Sequence, residues 1–470
     1  MMSRPLTGLL TAALLLSACA GRQRVDPNAP GGTPPGGTPA RTGAAGLFAD
    51  AASVYQRMGL IAPAAPVPFV GSVRYVATAR PDTTLTLLAV SLQNRALTFA
   101  RDNDRYRAVY EVRAEFRQGT QVVRRIEAEQ VVRVATFRET SRSDESVIFQ
   151  QTLPLAPGQY TLSLAVRDGG SARSSVQEAT VTVPRMGPNG LSSPITVYEA
   201  TPRLSTDSAP RLVASPRATF VFGRDTTARV YLEGYGVGAG AGASAVPVRL
   251  TVVGDRGAQL WTDTASLARR GPLFSGVIPV PLAPLGVGRV VTLVAHRTDS
   301  RDSTRAPLFV SFGDELPVTT FEDMLGYLRY FSAPARLAAL RKASPDGRAA
   351  AWGEFLRGTD PVPATPQNEA LRDYFGRIAQ ANVRFRDEGG GWLTDRGMVY
   401  VTLGDPDQIY QQGGVDVNTR GRAQVWEYRD DRVQLVFIDQ SGFGRWRLTP
   451  SSENEFRMLA RRREQRRPGS

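Results

Sequence analysis

The chain has 470 residues, 42% of them hydrophobic and 21% charged, with a formal net charge of +13. At about 100–200 residues per domain that length predicts several folded units, and the composition is ordinary for globular protein. A single histidine and a single cysteine exclude a multi-histidine zinc site and any intramolecular disulfide. The cations are nearly all arginine, Lys342 being the sole lysine, and they alternate with Asp and Glu along the chain. That spread speaks against nucleic acid as a partner, which calls for a basic stripe.

Arg4 precedes an apolar run from Leu9 to Leu16, too short to cross a bilayer of about 30 Å as a helix. The run ends in Leu16-Ser17-Ala18-Cys19, which resembles a bacterial lipobox. Residues 1–18 are accordingly read as a lipoprotein signal peptide, and Cys19 as the new, acylated N-terminus. Ala20 follows in place of Asp, which in such lipoproteins of two-membrane bacteria implies the outer membrane. The expected location is the cell envelope, with the membrane reached through the N-terminal lipid. Residues 19–46 hold Pro-Gly-Gly-Thr-Pro-Pro-Gly-Gly-Thr-Pro and almost no large apolar side chain. Such a segment cannot offset its ordering entropy by burial and is expected to be a flexible tether.

A short helix is expected within 47–66, with Phe48, Ala51, Ala52 and Tyr55 on one side, packing against the first folded unit. Over 67–185 the period becomes two. Tyr106, Ala108, Tyr110, Val112, Ala114 and Phe116 alternate with mostly charged residues, as a half-buried antiparallel strand does. Pro157-Gly158 opens a second strand with Tyr160, Leu162, Leu164 and Val166 inward. Short alternating strands between turns predict a β-sandwich of the immunoglobulin or fibronectin kind. Arg185 to Pro194 reads as a linker, and 195–313 as a second sandwich-like unit with strands around Val246–Val252, Val277–Val280 and Val290–Val294. The glycine-rich stretch Gly236 to Gly242 is followed by one of these strands, not by the helix that a phosphate-binding loop requires. It is expected to be a hairpin loop.

From 316 to 450 the pattern is α+β: helices over 320–386, then a small antiparallel sheet over 397–449. Thr365-Pro366 has the form of a helix start. Met398 to Leu403, Val425 to Tyr428, Val433 to Asp439 and Arg445 to Leu448 are expected as strands. Residues 451–470 end in the run Arg461 to Arg467, read as a solvated basic tail with anionic lipid or polysaccharide as the other reading.

This last unit carries Gly391-Trp392-Leu393-Thr394-Asp395-Arg396-Gly397 and then Gly404-Asp405-Pro406-Asp407. It resembles the bacterial GWxTD-domain family, whose name spells those residues. Asp360-Pro361, Thr365 to Glu369, Tyr374, Arg377, Ala381-Asn382, Phe385, Val425-Trp426-Glu427-Tyr428 and Phe437 to Gly444, including Asp439 and Gly442, extend the likeness from about 317 to 450. The two β-units are expected to lie outside it. The resemblance brings no biochemical activity with it.

The residues themselves offer little chemistry. His296, in an expected strand, has no nucleophile or orienting acid in a local motif. No motif asks for a cofactor or a metal. Asp395, Asp405, Asp407 and Asp439 all fall at turns or strand ends and have two readings. They cap their own turns, or they converge as a carboxylate pair for glycoside hydrolysis or a Ca2+ site. Trp392, Trp426 and Trp446 read as core of a small sheet or as a sugar platform. The leading expectation is a non-catalytic binding or assembly module with envelope protein partners. The alternative is a protein directed at carbohydrate or peptidoglycan, with a hydrolase built on the carboxylates as its strongest form.

Overall fold

The computed structural model describes residues 23–25, 44–142, 147–236, 243–254, 257–313, 316–331, 334–365, 368–385, 390–412 and 422–465. Cys19, the signal peptide, most of the tether, the glycine-rich stretch from Val237 to Gly242, Pro366 and the last five residues lie outside them. The chain divides into two compact units, a larger one over 35–383 and 467–470 and a smaller one over 1–34 and 384–466.

In the larger unit the first β-region is a sandwich. One sheet pairs Phe69–Ala77, Thr84–Leu92 and Val147–Leu155; the other joins Ala100–Asp102, Arg105–Gln118, Gln121–Val134, Gly158–Asp168 and Ser174–Val183. Of the inward residues expected from the alternation, Ala108, Tyr110, Val112, Ala114 and Phe116 meet Tyr160, Leu162, Leu164 and Val166 in one core, whereas Tyr106 is half-buried and packs edge-on against Phe137. The three-stranded sheet is buried on both faces. Leu88, Val90 and Leu92 join that core, while Val76, Leu87 and Ala89 pack against Ile195, Val197, Leu212, Ala214 and Tyr231 of the second β-region. This explains why Thr84–Leu92 reads Thr-Leu-Thr-Leu-Leu-Ala-Val-Ser-Leu, a near-continuous apolar run in place of a clean alternation.

The second β-region is a nine-stranded sheet from Arg211–Ala214 at one edge to Thr219–Val221 at the other. It is antiparallel except where Thr219–Val221 runs parallel to Ser303–Ser311. Its inward residues share one core. The segment expected as a linker is stitched to the first β-region: Ser193 accepts the Tyr75 amide on its Oγ and donates its own amide to the Tyr75 carbonyl.

The N-terminal helix spans Ala44–Arg57, and here the expectation is corrected. Ala52, Val54, Tyr55 and Met58 lie in the core of the second β-region, not the first, beside Val230, Leu250 and Phe309. The helix's apolar face is satisfied by whichever core is left open to it, and sequence proximity does not select one.

A buried ion pair fixes the two β-regions together. Arg203 donates through Nε and Nη2 to the two oxygens of Glu233, at 2.8 Å each. It also donates to the carbonyls of Ala77 and Ser208. The hydroxyls of Tyr231 and Tyr235 donate to the same carboxylate at 2.6 and 2.7 Å. Burial, then the neighbouring carboxylate, pushes both phenols above their ordinary range.

Helices Phe321–Tyr327, Pro334–Lys342, Arg348–Thr359 and Glu369–Arg384 follow, around an aromatic cluster in which Trp352 meets Phe312 at 4.9 Å and Phe355 at 5.4 Å. The last helix starts at Glu369, later than Thr365-Pro366 suggested. Asn368 caps it, accepting the Leu371 amide on Oδ1 at 3.0 Å.

The smaller unit has a five-stranded antiparallel sheet in the order Gln23–Val25, Gln408–Gln412, Arg422–Tyr428, Val433–Asp439, Arg447–Leu448. The expected tether is thus interrupted at 23–25, which pairs with Gln408–Gln412. Two helices complete the unit, Asp395–Leu403 and Pro450–Gln465. Two expectations change accordingly. The sheet starts at Gln408, because Met398 to Leu403 are helical. The basic tail is a helix as far as Gln465, in which Arg463 pairs with Asp431 and donates to the Leu403 carbonyl at 2.7 Å. No helix among the described residues is long and apolar enough to cross a membrane.

Candidate functional site

The motif is the entry to helix Asp395–Leu403. Gly391–Leu393 is a single tight turn, with Gly391 and Trp392 buried. Thr394 is the helix cap: its Oγ1 accepts the Gly397 amide at 3.0 Å and donates to the Gly391 carbonyl at 2.7 Å. Val399, Tyr400, Val401 and Leu403 are buried on this helix. Gly404 closes it at φ +86°, donating its amide to the Tyr400 carbonyl at 2.8 Å, the left-handed C-terminal position that favours glycine. Met-Val-Tyr-Val-Thr-Leu has strand propensity, and two caps override it. The sequence did carry that signal, in a Thr-Asp pair at one end and a Gly at the other.

Three of the four motif carboxylates hold a backbone amide of their own unit, and the fourth an arginine. Asp395, in the first turn where the helix dipole favours an anion, accepts the Leu448 amide at 2.8 Å and faces Arg447 at 3.5 Å. Asp407 accepts the Arg429 amide at 2.6 Å, next to buried Pro406. Asp405 pairs with Arg384. Asp439 is fully buried. It accepts the amides of Gly442 and Gly444 at 3.0 and 2.8 Å, the Ser441 hydroxyl at 3.0 Å and Arg422 Nη2 at 3.0 Å. Burial pushes its pKa up, but the Gly444 amide, Ser441 and Arg422 outweigh that and leave it below the usual carboxylate value. Only Asp439 caps its own turn; Asp395 and Asp407 hold amides of residues far along the chain, and Asp405 holds an arginine. Among the described residues no group of three His, Cys, Asp or Glu side chains is placed to hold a metal ion. His296 stands exposed on strand Arg289–Arg297.

The aromatic side chains divide in two. Trp426 is core, 4.8 Å from Phe437 and 5.5 Å from Phe385, with its Nε1 donating to Gln424. Trp446 instead meets arginines. The Arg396 guanidinium lies 5.1 Å from the Trp446 ring and 5.2 Å from the Phe385 ring, and that of Arg422 lies 5.7 Å from Trp446. Arg422 also donates to the Gly442 carbonyl at 2.6 Å. Burial lowers the pKa of Arg396 to about 10, with Asp439 opposing and Arg422 adding to the fall. Between Asp439 and the Trp446 ring the chain turns at Gly442 and Gly444 and leaves Phe443 89% exposed.

Of the residues expected to form a site, Arg396, Asp439 and Gly442 come together with Trp446. Asp395 and Asp407 are engaged elsewhere in the unit. Arg422 was missed, although the hairpin encodes it: counting equally outwards from Tyr428 and Val433 puts Arg422 opposite Asp439.

Residues 293–449 match the family model described as the GWxTD domain. The match begins at Leu293, within strand Arg289–Arg297, so it takes in the end of that strand and all of Ser303–Ser311, which the motifs alone left outside. No curated protein matches the chain by sequence. Among solved structures, a Bifidobacterium dentium beta-glucuronidase complexed with coumarin-3-O-glucuronide aligns at 10% identity and a TM-score of 0.18, over 52% of this chain and 44% of that one. The native conformation of E. coli alpha-2-macroglobulin aligns at 11% identity and a TM-score of 0.15, over 53% of this chain and 15% of that one. The chain thus spans less than half the length of each, and neither alignment bears on what it does.

Proposed function

We propose, for a chain whose residues 293–449 belong to the GWxTD domain family, a role as a non-catalytic binding and assembly module of the cell envelope. It is anchored by lipid at Cys19 and presents its GWxTD domain to envelope proteins. The observation that supports this most is the employment of the motif. Thr394, Asp395, Asp407 and Asp439 all bond to backbone amides of their own unit. That chemistry builds a rigid platform, and it engages the carboxylates that general acid–base catalysis would use.

The anchor rests on sequence: Arg4, the apolar run to Leu16 and a lone cysteine at the cleavage position. Replacing Cys19 by Ser is expected to abolish labelling by radioactive palmitate and to release the chain from membranes. The assembly role is tested by crosslinking in the native envelope, capture of the full chain and mass spectrometry. The expected result is a reproducible set of envelope proteins, lost when Gly397→Arg disrupts the motif. No reproducible partner would overturn the reading. Binding to purified sacculi that disappears on changing Trp392 or Asp439 would replace it with the carbohydrate-directed one.

A further inference from the structure

Among the described residues several buried and half-buried arginines are matched. Arg203 donates to Glu233, Arg297 to Asp299 and the Tyr235 carbonyl, and Arg463 to Asp431 and the Leu403 carbonyl. Arg396 differs from these. Its guanidinium is clamped by the rings of Phe385 and Trp446, yet among the described residues it donates no hydrogen bond and forms no ion pair. Ring faces attract the cation but leave the in-plane N–H donors unused. A guanidinium stacked in this way keeps its fork edge-on to an incoming oxyanion, the geometry in which arginine binds carboxylates in pairs of hydrogen bonds.

The surroundings favour an anion. Arg422 leans on the same Trp446 ring, and Asp439 is already bonded to it and to two amides. Of the two cations on Trp446, only Arg422 is bonded to the carboxylate. The turn that holds Asp439 also carries Phe443, exposed to 89% among the described residues and set between two glycines of positive φ. Cations and an exposed aromatic on one small turn match a ligand that combines acidic and apolar side chains, which is a property of a peptide.

We propose that Arg396, clamped by Phe385 and Trp446 and flanked by Arg422, binds a carboxylate on an acidic, aromatic-containing segment of a partner protein, with Phe443 as the apolar contact beside it. The proposal rests on the assembly reading and gives its partner a chemistry. Two oxygens of the ligand carboxylate accept from Arg396, and Arg422 adds attraction without leaving Asp439. Neighbouring apolar side chains of the segment cover Phe443.

The test uses the full chain and a fluorescein-labelled peptide of four Asp-Phe-Glu repeats, with an Asn-Phe-Gln version as control, read by fluorescence anisotropy. The acidic peptide is expected to bind saturably and the amide version about tenfold more weakly or not at all. Arg396→Gln is expected to lose about tenfold, Phe443→Ala less. Arg396→Lys, which keeps charge but not the planar fork, is expected to restore little. Thermal melting of each variant shows that the fold is intact, and Phe443→Ala, an exposed position, serves if Arg396→Gln melts early. Equal binding of both peptides, or of wild type and Arg396→Gln, overturns the proposal. Displacement by inorganic phosphate or glucuronate, with no preference between the two peptides, gives the site to a phosphate or a uronate and likewise overturns it. Crosslinked capture with Arg396→Gln separates the two levels. Partners retained while the peptide result is negative sink this inference alone, whereas no partner for the wild type sinks the assembly reading.

Discussion

A β-carbon placed on Gly397 would lie 1.9 Å from the carbonyl oxygen of Gly391 and 2.7 Å from Cα of Trp392. The motif's last glycine is therefore pressed against its first, and no side chain fits between them. Because the obstacle is backbone, it cannot swing aside. Gly397→Ala is expected to destabilise the unit by about 3 kcal/mol, at the upper end of overpacking costs. Thr394→Ala, which removes the cap but not the contact, is expected to cost about 1 kcal/mol. Denaturant unfolding of the two variants checks the order, and equal effects would mean that the close approach is not what the glycine serves.

Asp395 separates a structural from a catalytic reading of the motif. Asp395→Ala leaves the Leu448 amide without its acceptor, at an expected cost of about 1–3 kcal/mol. Asp395→Asn keeps an acceptor and is expected to lose less than half of that. A catalytic carboxylate would show the reverse, with the amide variant as stable as wild type and as inactive as the alanine one.

The Arg203–Glu233 pair is buried and fully bonded, so removing one partner strands the other. Arg203→Met or Glu233→Leu alone is expected to cost about 3–5 kcal/mol, and both together less than the sum. A double-mutant cycle by urea denaturation measures the coupling. Additive losses would show that the two residues stabilise the fold independently and not as a pair.

Asp439 gives a pH dependence with a definite sign. Its folded pKa lies below the ordinary 3.8, so the folded state binds the proton less well than the unfolded one. The stability that follows is fully present above that ordinary value and is lost as pH falls through the depressed one. Unfolding of the smaller unit in acid is expected to begin below about pH 4 and to be less steep in Asp439→Asn. Identical acid profiles would contradict the assignment.

How far the sequence reveals all this differs by element. Period-two runs such as Tyr106 to Phe116 were legible because one face is buried and the other solvated. Thr84–Leu92 hides its role, since burial on both faces erases the alternation. Met398 to Leu403 misleads, because β-branched composition says strand while caps at Thr394 and Gly404 impose a helix. The partner of helix Ala44–Arg57 could not be read at all: an apolar stripe does not say which of two cores receives it. At the site, Arg396 was visible as part of the motif. Its clamp depends on Trp446, and Trp446 comes into reach only through strand register.

The placement of helix Ala44–Arg57 in the core of the second β-region has a temporal side. The helix leaves the ribosome early, yet Phe309 and Val310, which help to complete its pocket, are among the last residues of that region to be made. At about 5–20 residues per second the gap is on the order of 10–50 s, during which an amphipathic helix with no place to dock is open to chaperones, proteases and neighbouring nascent chains.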